Sequence, residues 1–512
     1  LRIKHRIIQI LALGCTILLS SCPGIPDPVD EADPNSDSLL FKLVNQWGVG
    51  GWGENVPDGA LWITAEALKA QRAVVYFFEP RINYAPTALV SFSLRHADRT
   101  DLTISAYLGD PRYTPTKPSK LFLPTSANST SAPLNGEILA MDVSEWREGL
   151  ETKDLYFYII DSTDNSSAAE LLSLNLEIYA DFGKPASQIL TASTTLPFTI
   201  SNGSSGLVKI DSAGNISPLG QASDKGSAKS ATSVSMLDIA SLSRRKLNDE
   251  EFFALQEQRG IREEGRRYNK VIGGFGTGLA PPDLSQWQEI RAEGMTIELA
   301  DGAKGIKALP VSIDLMEEAA FPPIANQGSL GSCAAFSTAY YMLGYLLAKE
   351  KGWDLSSLRW DGDDPGNPSG MLDSIMSPKF VFNLINKGEG GGSTFEDAVR
   401  LITEFGCSTW GNAPYDETDY ISWPSETAWR EAPRYRAQKP DYGDYGTLYY
   451  MTISTEDHIE ILKRILAAGI PLTIGIDADN YKKLDEQDIW HASTYIVAAI
   501  NHANTIVGYK AP

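Results

Sequence analysis

Residues 321–352 read FPPIANQGSLGSCAAFSTAYYMLGYLLAKEKG, a Pro- and Gly-rich loop that turns helical at Ser332, where an N-cap is expected. Phe336, Tyr340, Leu343 and Leu347 recur every three or four residues, the spacing of one buried helical stripe. Gly352 is a natural stop. This places Cys333 in the first turn of a buried helix, where unpaired backbone N–H groups and the helix dipole favour a thiolate. The small neighbours Gly331, Ser332, Ala334 and Ala335 leave room for a second backbone to approach. Taken alone, the pattern equally describes a structural cysteine behaving as a small hydrophobe.

Working outward, Gln327 precedes the cysteine by six residues. Further on come SPKFVFNLIN (377–386), GGGSTFEDAVRLITEFGCST (390–409), ILKRILAAGIPLTIGI (461–476) and NHANTIVGY (501–509). In this order the segments resemble the papain family of cysteine peptidases, and the opening LPVSIDL with PPIANQGSLGSC is most similar to bacterial exported members. The resemblance covers about 200 residues and leaves residues 40–300 untouched. It implies a papain-like α+β domain over 305–512, with a helical and a β subdomain, that hydrolyses peptide bonds. It assigns Cys333 as nucleophile, His502 as its imidazole partner, and the Gln327 amide with the Cys333 N–H as the oxyanion hole.

Three other histidines compete less well for that role. His491, in IWHASTYIV, lacks the following VGY; His458 reads as a solvated residue early in a helix; His96 has no ligand-type partner nearby in sequence. Cys333 and His502 lie 169 residues apart, more than the ~130–150 of the papain pattern. Polar stretches at 353–370 and 477–490 can absorb the difference. Leu330 stands where many relatives carry a second cysteine, and Ala334 replaces a tryptophan. No N-S-W-G-like motif, with the asparagine that orients the imidazole, follows Tyr509. Either the sequence is truncated, its β subdomain incomplete, or the protein lacks that residue, in which case the alternative is a binding or adhesion lipoprotein with a degenerate peptidase domain. Cys407 reads as an unpaired structural thiol.

Before this domain the chain changes character repeatedly. Arg2, Lys4 and Arg6 precede an apolar run, too short to span a membrane, that ends Leu19-Ser20-Ser21-Cys22. This resembles a bacterial lipoprotein signal. It implies export to the cell envelope, lipid on Cys22 and a membrane as partner, with residues 1–21 as leader and 22–39 as a solvated tether. Residues 40–183 read as an all-β sandwich or jelly roll, with candidate strands at 73–78, 88–94, 102–108, 137–143, 155–161 and 171–179. Trp47, Trp52 and Trp62 fit either core packing or a sugar-stacking face, so a carbohydrate or surface partner is one expectation for this unit. Residues 184–304 read as a linker whose charged part, 236–304, can double as a prosegment over the cleft. Asn248 is a candidate helix cap there.

The 512 residues are 43% hydrophobic and 21% charged, enough for about three domains at ~150 residues each. A net charge of −21 argues against a nucleic-acid partner held by phosphate contacts. Four cysteines exclude a disulfide-rich scaffold, and five histidines leave no multi-histidine metal site in view. The acidic loop 361–367 lacks the spacing and terminal Glu of a calcium helix–loop–helix. No cofactor is expected, and a peptide or protein substrate is.

Overall fold

A computed structural model describes residues 38–49, 56, 58–113, 119–122, 133–162, 167–217, 242–260, 268–300, 309–360, 368–388, 390–438 and 448–512. The leader, residues 22–37 of the tether with Cys22, Trp52 and the loop 361–367 lie outside the described residues.

The strand His502–Lys510, HANTIVGYK, runs through the middle of the molecule, with every residue buried except Lys510. Continuous burial of this kind marks a strand covered on both faces. Leu472–Ile476 pairs antiparallel with its first half. On the opposite edge lies Leu40–Val44, also antiparallel, with Leu40 across from Lys510 and Val44 across from Thr505. In LFKLV the alternation puts Phe41 and Leu43 in the core and leaves Lys42 to pair with Asp314 at 2.7 Å. The full ten-stranded sheet runs Leu242–Lys246, Met295–Leu299, Tyr449–Thr452, Val74–Phe77, Leu472–Ile476, His502–Lys510, Leu40–Val44, Ala60–Thr64 and Ile489–Trp490, with Ser312–Asp314 added beside His502–Lys510.

Two expectations are corrected by this sheet. Residues 40–77 do not open a separate β unit, because three of their strands are built into the sheet of the histidine strand. Nor are the described parts of 184–304 a linker. Gln188–Thr191, Phe198–Ile200 and Ser205–Ile210 pair with strands of the preceding β unit, and Leu242–Lys246 and Met295–Leu299 extend the main sheet. The Ser- and Thr-rich composition misleads because strands with one exposed face need few apolar residues. QILT buries none of its side chains fully.

Residues 88–210 form two antiparallel sheets. One is ordered Gln188–Thr191, Ala169–Ile178, Ala88–His96, Leu134–Asp142, with Phe198–Ile200 also on Ala169–Ile178; the other runs Ser205–Ile210, Leu155–Asp161, Leu102–Leu108, Ser119–Phe122. Phe92 and Phe157 meet between them at 4.8 Å. This unit is tied to the rest by fully buried Arg436 on Asp142 at 2.6 Å and by Arg430 on Glu177 at 2.5 Å.

Cys333 starts a continuous helix: Cys333–Ala335 in α geometry, Phe336–Leu343 as a π-helix, then Gly344–Lys351, ended by Gly352 at φ 64°. The single stripe expected from the spacing is widened, since every residue from Cys333 to Ala348 is buried. A helix apolar on every side is one enclosed by the core rather than laid against it. Ser332 occupies the cap position without capping; its hydroxyl bonds that of Tyr415 at 2.7 Å. Among the described residues no helix is long and apolar enough to cross a membrane.

Candidate active site

Ser337, one turn into the cysteine helix, donates to the Asn504 carbonyl at 2.9 Å and meets Thr505 Oγ1 at 2.9 Å. These bonds lock the helix against the histidine strand. The Cys333 thiol consequently lies against the backbone N–H of Ala503, the residue after His502, and against that of Gly278. Burial pushes the thiol up to about 12 despite these donors. His502, fully buried, is pulled down to about 3, and burial alone is the cause. In this state both groups are neutral at pH 7.

The other face of the imidazole is built by residues 45–47, at the end of Leu40–Val44. His502 Nε2 lies 2.8 Å from Asn45 Oδ1. Asn45 is oriented by the Gln46 backbone N–H, which donates to the same Oδ1 at 2.9 Å. Trp47 covers the ring at 4.7 Å between centroids, its Nε1–H donating to the Gly276 carbonyl at 3.2 Å. Nδ1 of His502 has no hydrogen-bond partner among the described residues.

An amide thus stands against the imidazole although none follows Tyr509. Asn45-Gln46-Trp47-Gly48 is an N-S-W-G-like string, placed ahead of the cysteine in the chain instead of behind the histidine. The signal was present, but it falls outside the region where the family order would place it. Trp47 is therefore a buried wall of this site and no sugar platform, with 1% of its surface exposed.

Gln327 is fully buried, and its amide donates to the carbonyls of Leu330 at 2.6 Å and Gly276 at 3.0 Å. Tyr415 fixes the loop by donating to the Gln327 carbonyl at 2.8 Å. The second of those amide contacts belongs to residues 268–283, which cross the site as a strap. The Gly278 and Leu279 N–H groups both donate to Asn501 O at 3.0 Å, while Ser393 N–H donates to Gly278 O at 2.9 Å and Ala280 N–H to Ser393 O at 3.0 Å. Phe275 stacks on Trp47 at 5.3 Å. Glycine is required where the strap passes the cysteine loop: a Cβ on Gly276 would stand 2.4 Å from Ser329 O, and one on Gly278 2.2 Å from Gly331 O. Buried Arg259, at the end of a helix whose Asn248 forms a capping box with Glu251, holds the far side by donating to Ala280 O at 2.6 Å.

The remaining described histidines lie outside this cluster. His491 pairs with Asp485 at 2.6 Å, His458 sits beside Ser454 at a helix start, and His96 is buried in the β unit near Asp161 at 3.6 Å. Cys407 is a buried free thiol. Among the described residues no group of His, Cys, Asp and Glu is arranged to hold a metal ion.

A thiol at a helix start, an imidazole on the adjoining strand, an amide on one of its nitrogens and a glutamine in the loop ahead of the thiol are the groups that the papain resemblance implies. Comparison with known proteins finds relatives of the same broad class. The chain is 26% identical over 227 residues to a cathepsin L-like proteinase of Fasciola hepatica, covering 44% of this chain and 58% of that protein. It is 28% identical over 204 residues to cathepsin S of Mus musculus, covering 40% and 51%. The chain is thus a distant homologue of papain-like cysteine proteases, and it spans about half the length of the curated relatives it matches. No family model matches it. Among solved structures, the Amb a 11 cysteine protease of ragweed pollen, in its proform, overlaps it with a TM-score of 0.24 at 18% identity, over 40% of this chain and 52% of that one.

Proposed function

We propose that this protein is a papain-like cysteine endopeptidase, folded with residues 268–283 closing its cleft. The observation that carries the reading is the 2.8 Å contact of His502 Nε2 with Asn45 Oδ1, on a strand against which Cys333 is packed. In the open enzyme Cys333 attacks the substrate carbonyl carbon as thiolate. The Cys333 N–H and the Gln327 amide receive the oxyanion. His502 protonates the leaving amine, and water then hydrolyses the thioester. Asn45 keeps the ring turned toward the sulfur, and Trp47 shields that contact from water.

In the closed chain the Gly276 carbonyl holds the amide that the oxyanion needs. Removing the strap would rehydrate the thiol and the ring, relieving the burial that keeps both neutral. Cleavage on either side of residues 268–283 is thus the activating event. Residues 1–21 act as an export signal and Cys22 carries lipid, a reading supported by the basic head, the apolar run and Leu19-Ser20-Ser21-Cys22. The enzyme then faces extracytoplasmic proteins from a membrane.

The test is an epoxide warhead selective for activated thiolates, applied before and after limited proteolysis. Labelling is expected only after cleavage, at Cys333, and is expected to vanish in Cys333→Ala and His502→Ala. An unlabelled, still folded, cleaved protein would instead favour a binding lipoprotein with a degenerate peptidase domain.

A further inference from the structure

His502 Nε2 meets two amides, and they ask opposite things of it. Asn45 Oδ1, at 2.8 Å, is an acceptor and wants a proton on that nitrogen. Gln46 Nε2, at 3.1 Å, is a donor and wants the nitrogen bare. Neither amide can be turned round to remove the conflict. Asn45 Oδ1 already accepts the Gln46 backbone N–H at 2.9 Å. Gln46 Nε2 already donates to the Ala503 carbonyl at 2.8 Å, and swapping its ends would set an oxygen against that carbonyl. All three side chains are fully buried, so water does not dilute the competition. Of the titratable groups near the ring, Cys333 lies against the N–H of the next residue, Ala503, and Tyr481 packs edge-on, its ring 6.2 Å away and its hydroxyl engaged with Asn504.

We infer that Gln46 is a positioning residue that opposes Asn45, drawing His502 toward the Nδ1–H tautomer and making its outer nitrogen harder to protonate. The consequence follows from where the proton must travel. To accept the Cys333 proton, the ring must present a bare Nδ1 and carry its hydrogen on Nε2. That form is the one Asn45 supports and Gln46 disfavours. The donor at Gln46 therefore biases the site against the thiolate–imidazolium pair, independently of the strap. This inference rests on the reading of His502 as the proton carrier, but its test does not depend on turnover.

The experiment is ¹⁵N NMR of the full chain labelled on histidine nitrogens, with His502 assigned by loss of its signals in His502→Gln. Gln46→Ser and Gln46→Met both remove the donor, one by a small polar group and one at similar volume. Either should shift the tautomer ratio toward Nε2–H by roughly tenfold, the effect of one ordinary hydrogen bond, and raise the ring's titration midpoint. Asn45→Ala should move both quantities the other way. A role for Gln46 in packing alone would move the two kinds of variant in the same direction. That result, or an unchanged ratio in either folded Gln46 variant, overturns the inference. A chain that shows the opposed shifts yet never labels with the epoxide would sink the peptidase reading and leave this one intact.

Discussion

His502 titrates far below an ordinary imidazole because nothing charged compensates its burial. Folding is therefore linked to pH at this residue. Between the unfolded value of 6.5 and the folded value of about 3, the unfolded chain binds a proton that the folded chain refuses. Stability consequently falls as pH drops through this window, by roughly 1.4 kcal/mol per pH unit from this group alone. Urea unfolding at pH 7 and pH 5 should show that loss in the parent chain and a correspondingly smaller one in His502→Gln. Equal losses in both would mean that the ring is solvated. At this scale the sequence is partly legible. Cys333 and His502 carry local context, a helix start and a strand start, that a linear reading can find. Asn45 has no such context, because its partner lies on a strand more than four hundred positions away and only the pairing of Leu40–Val44 with His502–Lys510 joins them.

The strap is held by backbone geometry at two glycines, a feature that composition cannot reveal. YNKVIGGFGTGLAPPD reads as loop, and Gly273 and Gly274, with φ of 58° and 97°, do form the turn of a short hairpin. Gly276 and Gly278 serve closeness of approach instead. In Gly278→Ala the added methyl meets the Gly331 backbone, which cannot yield as a side-chain tip can. The strap must then lift near Cys333, and the intact chain should alkylate several-fold faster than the parent, with its overall fold unchanged by circular dichroism. An unaltered alkylation rate in folded Gly278→Ala would show that access to the thiol is governed elsewhere. Most of the strands in residues 188–210 and 242–299 escaped a sequence reading for a related reason. Each is six residues or fewer and at least partly exposed, so the tertiary pairing rather than the local pattern makes it a strand.

At the scale of the molecule, the sheet that carries His502 is assembled from stretches on both sides of the 88–210 β unit. Strands 40–44, 60–64 and 74–77 stand among strands from beyond residue 440 in one sheet. Sequence order and spatial order diverge here, and sheets tolerate this because the ladder depends on register, not on which loop connects the strands. The pairing makes a direct test available. Leu40 sits opposite Lys510, so Ala511, Pro512, Ser38 and Leu39 would close a hairpin loop of ordinary length if residue 512 were joined to residue 38. A rearranged chain that begins at residue 80 and carries residues 38–79 after Pro512 keeps every strand of the sheet and changes only its connections. It should fold, retain the Asn45–His502 hydrogen bond, and, after cleavage beside the strap, label at Cys333 as the parent does. Simple deletion of residues 38–79 removes the strands Leu40–Val44, Ala60–Thr64 and Val74–Phe77 together with Asn45, and should leave a chain that does not fold cooperatively. If the rearranged chain also failed to fold while the parent did, the Leu40–Val44 pairing would not be what joins the two stretches, and the site built on it would fall with it.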